Sequence, residues 1–251
     1  MAEAQQSPRI LDLDLDFFLH DAAHWSPEGR LDPDEYPPWD IDQAISFLKE
    51  KCHLEAPLPG WAVENHGELF ALWRDAIQAG RLTVPFHVTH IDAHADLGLG
   101  DSGYIHLMTE VLYREPKERL EPKEGLGDGN YLAFSIACRW ISDLIYVYND
   151  RGGNDLMTYH LEGFDPDASY IQLKAMRKPE IEKLWGLARK EDLQVDRYEP
   201  QVPFSHGSWR DFHADQPFDF ICMARSPSYT PAEADPIFDE IRRCFINEAP
   251  W

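Results

Sequence analysis

The residues best suited to chemistry lie in HIDAHADL, His90–Leu97, where Asp92, His94 and Asp96 fall on alternate positions. An apolar approach through Val84, Phe86, Val88 and Ile91 marks a buried strand running to its C-terminal end. Residues two apart on a strand share a face, so the two carboxylates and the imidazole should converge. Converging buried acids repel one another unless a cation compensates them. A second acidic run, ILDLDLDFF at Ile10–Phe18, places Asp12, Asp14 and Asp16 on one face of another strand. Alternate strand residues are separated by about 6.6 Å, whereas two ions in a shared site sit about 3.5–4 Å apart. Only an adjacent pair of these acids can serve such a site. Proximity to the strand end selects Asp14 and Asp16, with Asp12 behind them. His66 in ENHGEL, at a helix start, supplies a further imidazole, and His90 is expected as a hydrogen-bonded outer partner.

These residues need elements to hold them. Asp40 should open a helix with Ile41, Ile45 and Leu48 on its apolar face, after which EAPLPGW (Glu55–Trp61) is expected as a turn. Helices are expected over His66–Ala79, Ile105–Tyr113, Tyr131–Ile141 and Glu180–Lys190. Strands are expected over Leu144–Tyr148, Tyr170–Leu173, Leu193–Tyr198 and Phe218–Met223. Residues 114–129 are charged and rich in Pro and Gly, and predict a mobile surface loop; DRGGND (Asp150–Asp155) predicts a turn. A last helix should begin with Thr230 as N-cap, Pro231 at N1 and Glu233 at N3. Strands alternating with helices predict an α/β fold, a three-layer α-β-α arrangement around a mainly parallel sheet, in one domain spanning 1–251. Ligand sites in such sheets lie beyond the C-terminal strand ends.

Composition narrows the function classes. With 43% hydrophobic and 12% aromatic residues the chain has the content of a globular core. A net charge of −22 without a basic patch argues against nucleic acid and anionic membranes as partners, and favours cationic ones. The opening MAEAQQSPR lacks the apolar core of a signal peptide, and no run approaches about 18 apolar residues, so a cytoplasmic protein is expected. Cys52, Cys138, Cys222 and Cys244 have no C-x-x-C spacing and predict reduced thiols.

HIDAHADL resembles the D-A-H-x-D motif of the ureohydrolases (arginase, agmatinase, formimidoylglutamase), and DLDFF resembles their D-x-D motif. NHGEL stands where they carry a histidine in G-G-D-H, and SGYIHLM (Ser102–Met108) is similar to their S-G-N-L-H-G segment. The resemblance covers these four motifs and the alternating α/β pattern. It is closest to the peptide arginases of ribosomal-peptide biosynthesis, which convert arginine side chains within a precursor peptide to ornithine. It departs in motif order, since D-x-D here precedes D-A-H-x-D, and the family's guanidinium-binding glutamate has no match. The resemblance implies an arginase/deacetylase-like fold and two Mn²⁺ per chain. Asp14 and Asp92 would bridge the ions, His66 and Asp96 would complete one shell, and His94 and Asp16 the other. It implies His106 as proton shuttle, since that segment's histidine assists proton transfer in the family. Asn130 in DGNYL is a candidate substrate contact. Four carboxylates and two imidazoles form a hard set that suits Mn²⁺ better than Zn²⁺. The expected activity is hydrolysis of arginine within a precursor peptide to ornithine and urea. Alternatives are a ureohydrolase of a free small guanidine such as arginine or agmatine, and a non-catalytic metal-binding regulator of the same fold. The oligomeric state is left open.

Overall fold

The computed structural model describes residues 7–27, 29–98, 102–122, 124–151, 155–185 and 192–248. Its strands are β1 Arg9–Asp14, β2 Leu58–Val63, β3 Phe86–Asp92, β4 Ile141–Tyr148, β5 Tyr170–Ile171, β6 Lys174–Ala175, β7 Arg197–Tyr198, β8 Val202–Ser208, β9 Phe220–Ala224 and β10 Ile246–Glu248. The helices are α1 Ile41–Lys51, α2 Glu68–Gln78, α3 Gly103–Thr109, α4 Tyr131–Ala137, α5 Lys178–Trp185 and α6 Asp235–Phe245. Eight strands form one sheet in the order β10-β2-β9-β1-β3-β4-β8-β5, parallel throughout except for the β5–β8 pair. The α/β, three-layer expectation holds.

Side-chain parity along the two central strands explains the layers. Ile10 of β1 and Phe86 and Val88 of β3 pack with Phe70, Trp73 and Leu132 of α2 and α4. Leu11 and Leu13 of β1 and Ile91 of β3 face the other way, toward Phe47 and Leu48 of α1 and Phe238 and Ile241 of α6. Both faces are covered, which is why these strands read as almost wholly apolar apart from their acids and histidines. β1 and β3 are neighbours in register, with Asp12 beside His90 and Leu13 beside Ile91. The chain leaves β1 toward β2 on one side and leaves β3 toward β4 on the other. That divergence opens a crevice beyond the carboxyl ends of β1 and β3.

Several boundaries differ from the sequence expectation. β1 stops at Asp14, and Leu15–Phe18 turn as a 3-10 helix that Asp14 caps by accepting from Asp16 N. Pro57, Pro59 and Gly60 look like a turn in the sequence, yet Leu58–Val63 pair with β9 and β10. Gly60 is required there, since an added Cβ would lie 1.7 Å from Ile221 O. β8 and β10 were not expected, and Leu193–Tyr198 yields strand only at Arg197–Tyr198. Within 114–129 the loop is pinned: Arg119 is fully buried and pairs with Glu199 at 2.7 Å. Thr230 does not cap the last helix, because its hydroxyl donates back to Ser226 O (3.0 Å), and the helix starts at Asp235. The expected helix beyond residue 185 and the centre of DRGGND lie outside the described residues.

Gly60→Ala should force β2 away from β9, the kind of backbone clash that costs about 3 kcal/mol or more. Equilibrium denaturant unfolding measures it, and a change under about 0.5 kcal/mol would refute this account of β2.

Candidate metal centre

Two groups of donor atoms meet at the ends of β1 and β3. In the first, His66 Nδ1 lies 3.0 Å from Asp14 Oδ2 and 3.1 Å from both Asp92 Oδ2 and Asp96 Oδ2. In the second, His94 Nδ1 lies 3.0 Å from Asp16 Oδ2 and 3.7 Å from Asp92 Oδ1. Asp92 thus turns one oxygen to each group. The register of β1 on β3 brings Asp14 and Asp92 together, and the 3-10 turn swings Asp16 back alongside them. A straight strand would have carried Asp16 away.

The residues fit a metal. His66 Nδ1 is buried within reach of three carboxylates, yet no hydrogen-bond partner is aligned with it among the described residues. Ligand atoms about 2.1 Å from one octahedral ion are roughly 3 Å apart along each edge, so this nitrogen is placed as a ligand lone pair. Its opposite nitrogen, Nε2, donates to Asp12 Oδ1 at 3.1 Å, which fixes the ring so that Nδ1 would present its lone pair to an ion that displaces its proton. Asp12 also accepts from His90 Nδ1 (3.0 Å) and from the Tyr131 hydroxyl. The other nitrogen of His90, Nε2, lies 3.1 Å from His94 O, so both of its nitrogens are committed. Asp12 and His90 are thus hydrogen-bonded beside His66 and His94, and their own donor atoms also lie close enough to those of His66, Asp92 and Asp96 to be able to hold an ion.

The electrostatics describe a cluster short of positive charge. Burial, then the charges of Asp16, Asp96 and Asp14, push Asp92 well above the carboxylate range, and burial with Asp16 raises Asp14 to about 6. Burial alone would lower His94, but Asp16 and Asp92 lift it to about 11, and Tyr131 and Asp12 likewise lift His66. Asp12 and Asp16 go the other way. Burial would raise both, but the charges and hydrogen bonds of His66 and His90 on Asp12, and of His94 on Asp16, hold them low. Protons thus occupy the place that a cation would take.

No family model, no curated protein and no solved structure matches this chain. The site is therefore read from its own geometry. Buried Asp and His groups at the sheet's carboxyl edge are able to hold metal ions.

The cluster floors a cleft of about 160 Å³. Asp128, Asp155, Ser226 and Tyr229 also line it, with His24 and Trp25 at its edge, and sequence reasoning missed all six. Asp128 Oδ1 accepts from Gly67 N at 2.8 Å, and Asp155 Oδ1 accepts from Ala95 N at 2.9 Å. Ser226 donates to Asp14, and the Tyr229 ring lies edge-on to His94 with centroids 5.2 Å apart. DGN and GND are turn-like fragments, and only a third dimension brings their acids to the strand ends.

His106 sits on α3 beside Gly125 and is not among the residues lining the cleft, and its Nε2 is buried. Asn130 is wholly buried: its amide donates to Gly125 O (2.7 Å) and accepts from Gly127 N (3.0 Å), which shapes the turn presenting Asp128 and Gly129. The shuttle implied by the SGYIHLM resemblance and the substrate contact expected at a helix start are therefore not among the residues lining the cleft.

Two measurements test the centre. Asp92→Ala should abolish metal loading read by elemental analysis, whereas Asp12→Asn should keep stoichiometry and weaken affinity about 10–100-fold, as loss of an orienting partner does. The pH response follows from Asp14. Its carboxyl is raised from 3.8 to about 6, so its contribution to metal-free stability is complete below 3.8 and is lost as pH rises through about 6. Chelated protein should melt lower at about pH 7.5 than at about pH 5, and Mn²⁺ should raise Tm more at the higher pH because fewer protons must be displaced. Thermal melts with and without chelator give the answer.

Proposed function

We propose that this protein is a binuclear metal hydrolase acting on the guanidinium of arginine within a peptide, releasing urea and leaving ornithine. The observation that carries the reading is Asp92, with one oxygen turned to each of two donor groups on the floor of a cleft. Bound there, two divalent ions would supply a water activated for attack near neutral pH. The hard donor set favours Mn²⁺. The residues themselves do the positioning: Asp12 orients His66, and Ser226 holds Asp14. The reaction consumes one water, breaks the bond between the side-chain nitrogen and the guanidinium carbon, and leaves that nitrogen as an ammonium.

The lining favours a cationic substrate. Among the described residues it contains six aspartates and neither lysine nor arginine. An α-carboxylate entering that cleft would meet acids with no countercharge, which disfavours free arginine. A peptidyl arginine carries no such group. Agmatine lacks it too, and remains the second reading on the same observation. The mouth is accessible: Trp25 is 63% exposed, and its loop is tied to the Tyr229 loop through Ser26 N to Ser228 O at 2.9 Å.

The experiment is incubation of the Mn²⁺-loaded protein with an internal-arginine peptide, agmatine and free arginine, reading urea colorimetrically and peptide mass. The expected result is a loss of about 42 Da per arginine, the mass by which hydrolysis makes ornithine lighter, with free arginine poor. Efficient use of free arginine with the peptide untouched would reject the peptide substrate. Metal uptake with no urea from any of the three would reject catalysis and leave a metal-binding regulator. Since His106 does not line the cleft, His106→Ala should retain turnover within about tenfold, well short of the 10²–10⁴-fold loss typical of a removed acid–base group.

A further inference from the structure

Within the cleft, Asp155 is a carboxylate that the metal centre does not use. Its Oδ1 is occupied by Ala95 N at 2.9 Å, and Ala95 lies between the ligands His94 and Asp96. Its Oδ2 is buried and has no hydrogen-bond partner among the described residues. Desolvating such an atom is unfavourable unless something binds to it. A peg that merely holds Ala95 would need only one oxygen. Asp155 also belongs to none of the four groups of atoms among the described residues that could surround an ion. With one oxygen committed it offers a hard cation a single donor, where six or more are wanted. One free, directed oxygen suits an N–H donor instead.

Charge points the same way. In the loaded site two divalent ions would balance the carboxylates of Asp14, Asp16, Asp92 and Asp96. Asp128 and Asp155 would remain uncompensated in a cleft that no lysine or arginine lines among the described residues. Asp128 faces Gly67 N with one oxygen, and of these two aspartates Asp155 is the one with a buried oxygen that has no hydrogen-bond partner among the described residues.

We infer that Asp155 is the specificity-determining carboxylate of the site, pairing through Oδ2 with the cationic nitrogen group of the substrate side chain. The inference rests on the hydrolase reading above for the identity of that cation, but not for its charge. It selects charged over neutral side chains of equal length, and it does so apart from metal binding.

Asp155→Asn is the discriminating variant. The asparagine oxygen still accepts from Ala95 N, so the loop holding His94 and Asp96 is kept while the charge is removed. The probes are blocked pentapeptides with a central lysine, an unreactive cation, or norleucine, its neutral counterpart, titrated calorimetrically into Mn²⁺-loaded protein of verified metal content. Wild type should bind the lysine peptide at least about tenfold more tightly than the norleucine peptide. Asp155→Asn should lose about 10–100-fold for lysine and little for norleucine, the size of a hydrogen bond to a charged group. The KM for an arginine peptide should rise in parallel. Equal binding of lysine and norleucine by wild type, or unchanged preference in a fully metallated Asp155→Asn, overturns the inference. If wild type hydrolyses no arginine peptide yet prefers lysine in an Asp155-dependent way, the hydrolase reading fails and the cation site stands.

Discussion

Everything in this molecule is arranged around four aspartates that should not be neighbours. Asp14, Asp16, Asp92 and Asp96 are all at least nine-tenths shielded from water and share two imidazoles between them. In isolation such a cluster is unfavourable, because burial and mutual repulsion act in the same direction. The metal-free chain answers by holding protons on His66 and His94. That answer is provisional in a physical sense: two imidazolium charges spread over four carboxylates compensate less than two divalent ions would. The cluster is accordingly a site with a strong preference for being filled.

Holding like charges together demands a frame that does not yield, and main-chain N–H groups provide much of it. Asp14 accepts from Asp16 N, Asp92 from His94 N, and Asp16 from Ala93 N. Farther out, Asp128 accepts from Gly67 N and Asp155 from Ala95 N. Each of these bonds fixes one oxygen and directs the other. Main-chain donors suit the task because they carry no net charge and move only with the backbone. The parallel sheet beneath, covered on both faces, supplies the rigidity.

What could be read in the sequence was whatever depends on local periodicity. The six ligand candidates were expected from alternation on two strands and one helix start, and all six meet in space, although β1 ends at Asp14 and β3 at Asp92, so that Asp16, His94 and Asp96 arrive through turns and not by strand parity. The same logic identified Asp12 as lying behind Asp14. It failed where tertiary contacts override local pattern. The acidic alternation continues to Asp16, but the strand does not, because the Asp14 side chain captures Asp16 N and starts a 3-10 turn. LPGWAV has the prolines and glycine of a turn, and it is strand only because β9 and β10 lie on either side. Asp128, Asp155, Ser226 and Tyr229 come from loops after other elements, with no spacing that ties them to Asp92. His106, implied by the resemblance of SGYIHLM, and Asn130, taken from its helix-start position, are not among the residues lining the cleft, since neither signal carries the tertiary placement of its segment.

The backbone near the cluster adds a last constraint. Asp96 has φ +49° and Ser226 φ +47°, left-handed conformations that cost L-residues roughly 1–2 kcal/mol. Both lie in segments that leave a strand end and must double back to aim an oxygen inward, Asp96 toward His66 and Ser226 toward Asp14. Gly98, at φ +120°, completes the turn after Asp96, and a Cβ there would press on Tyr104 and His160 at 3.1 and 3.3 Å. Extended backbone at Asp96 would carry its carboxylate past the cluster. The strain is therefore the condition for a four-carboxylate site at a junction of only two strands. An ion bound there would hold Asp96 directly and Ser226 through Asp14, so filling the site and ordering these turns are one process.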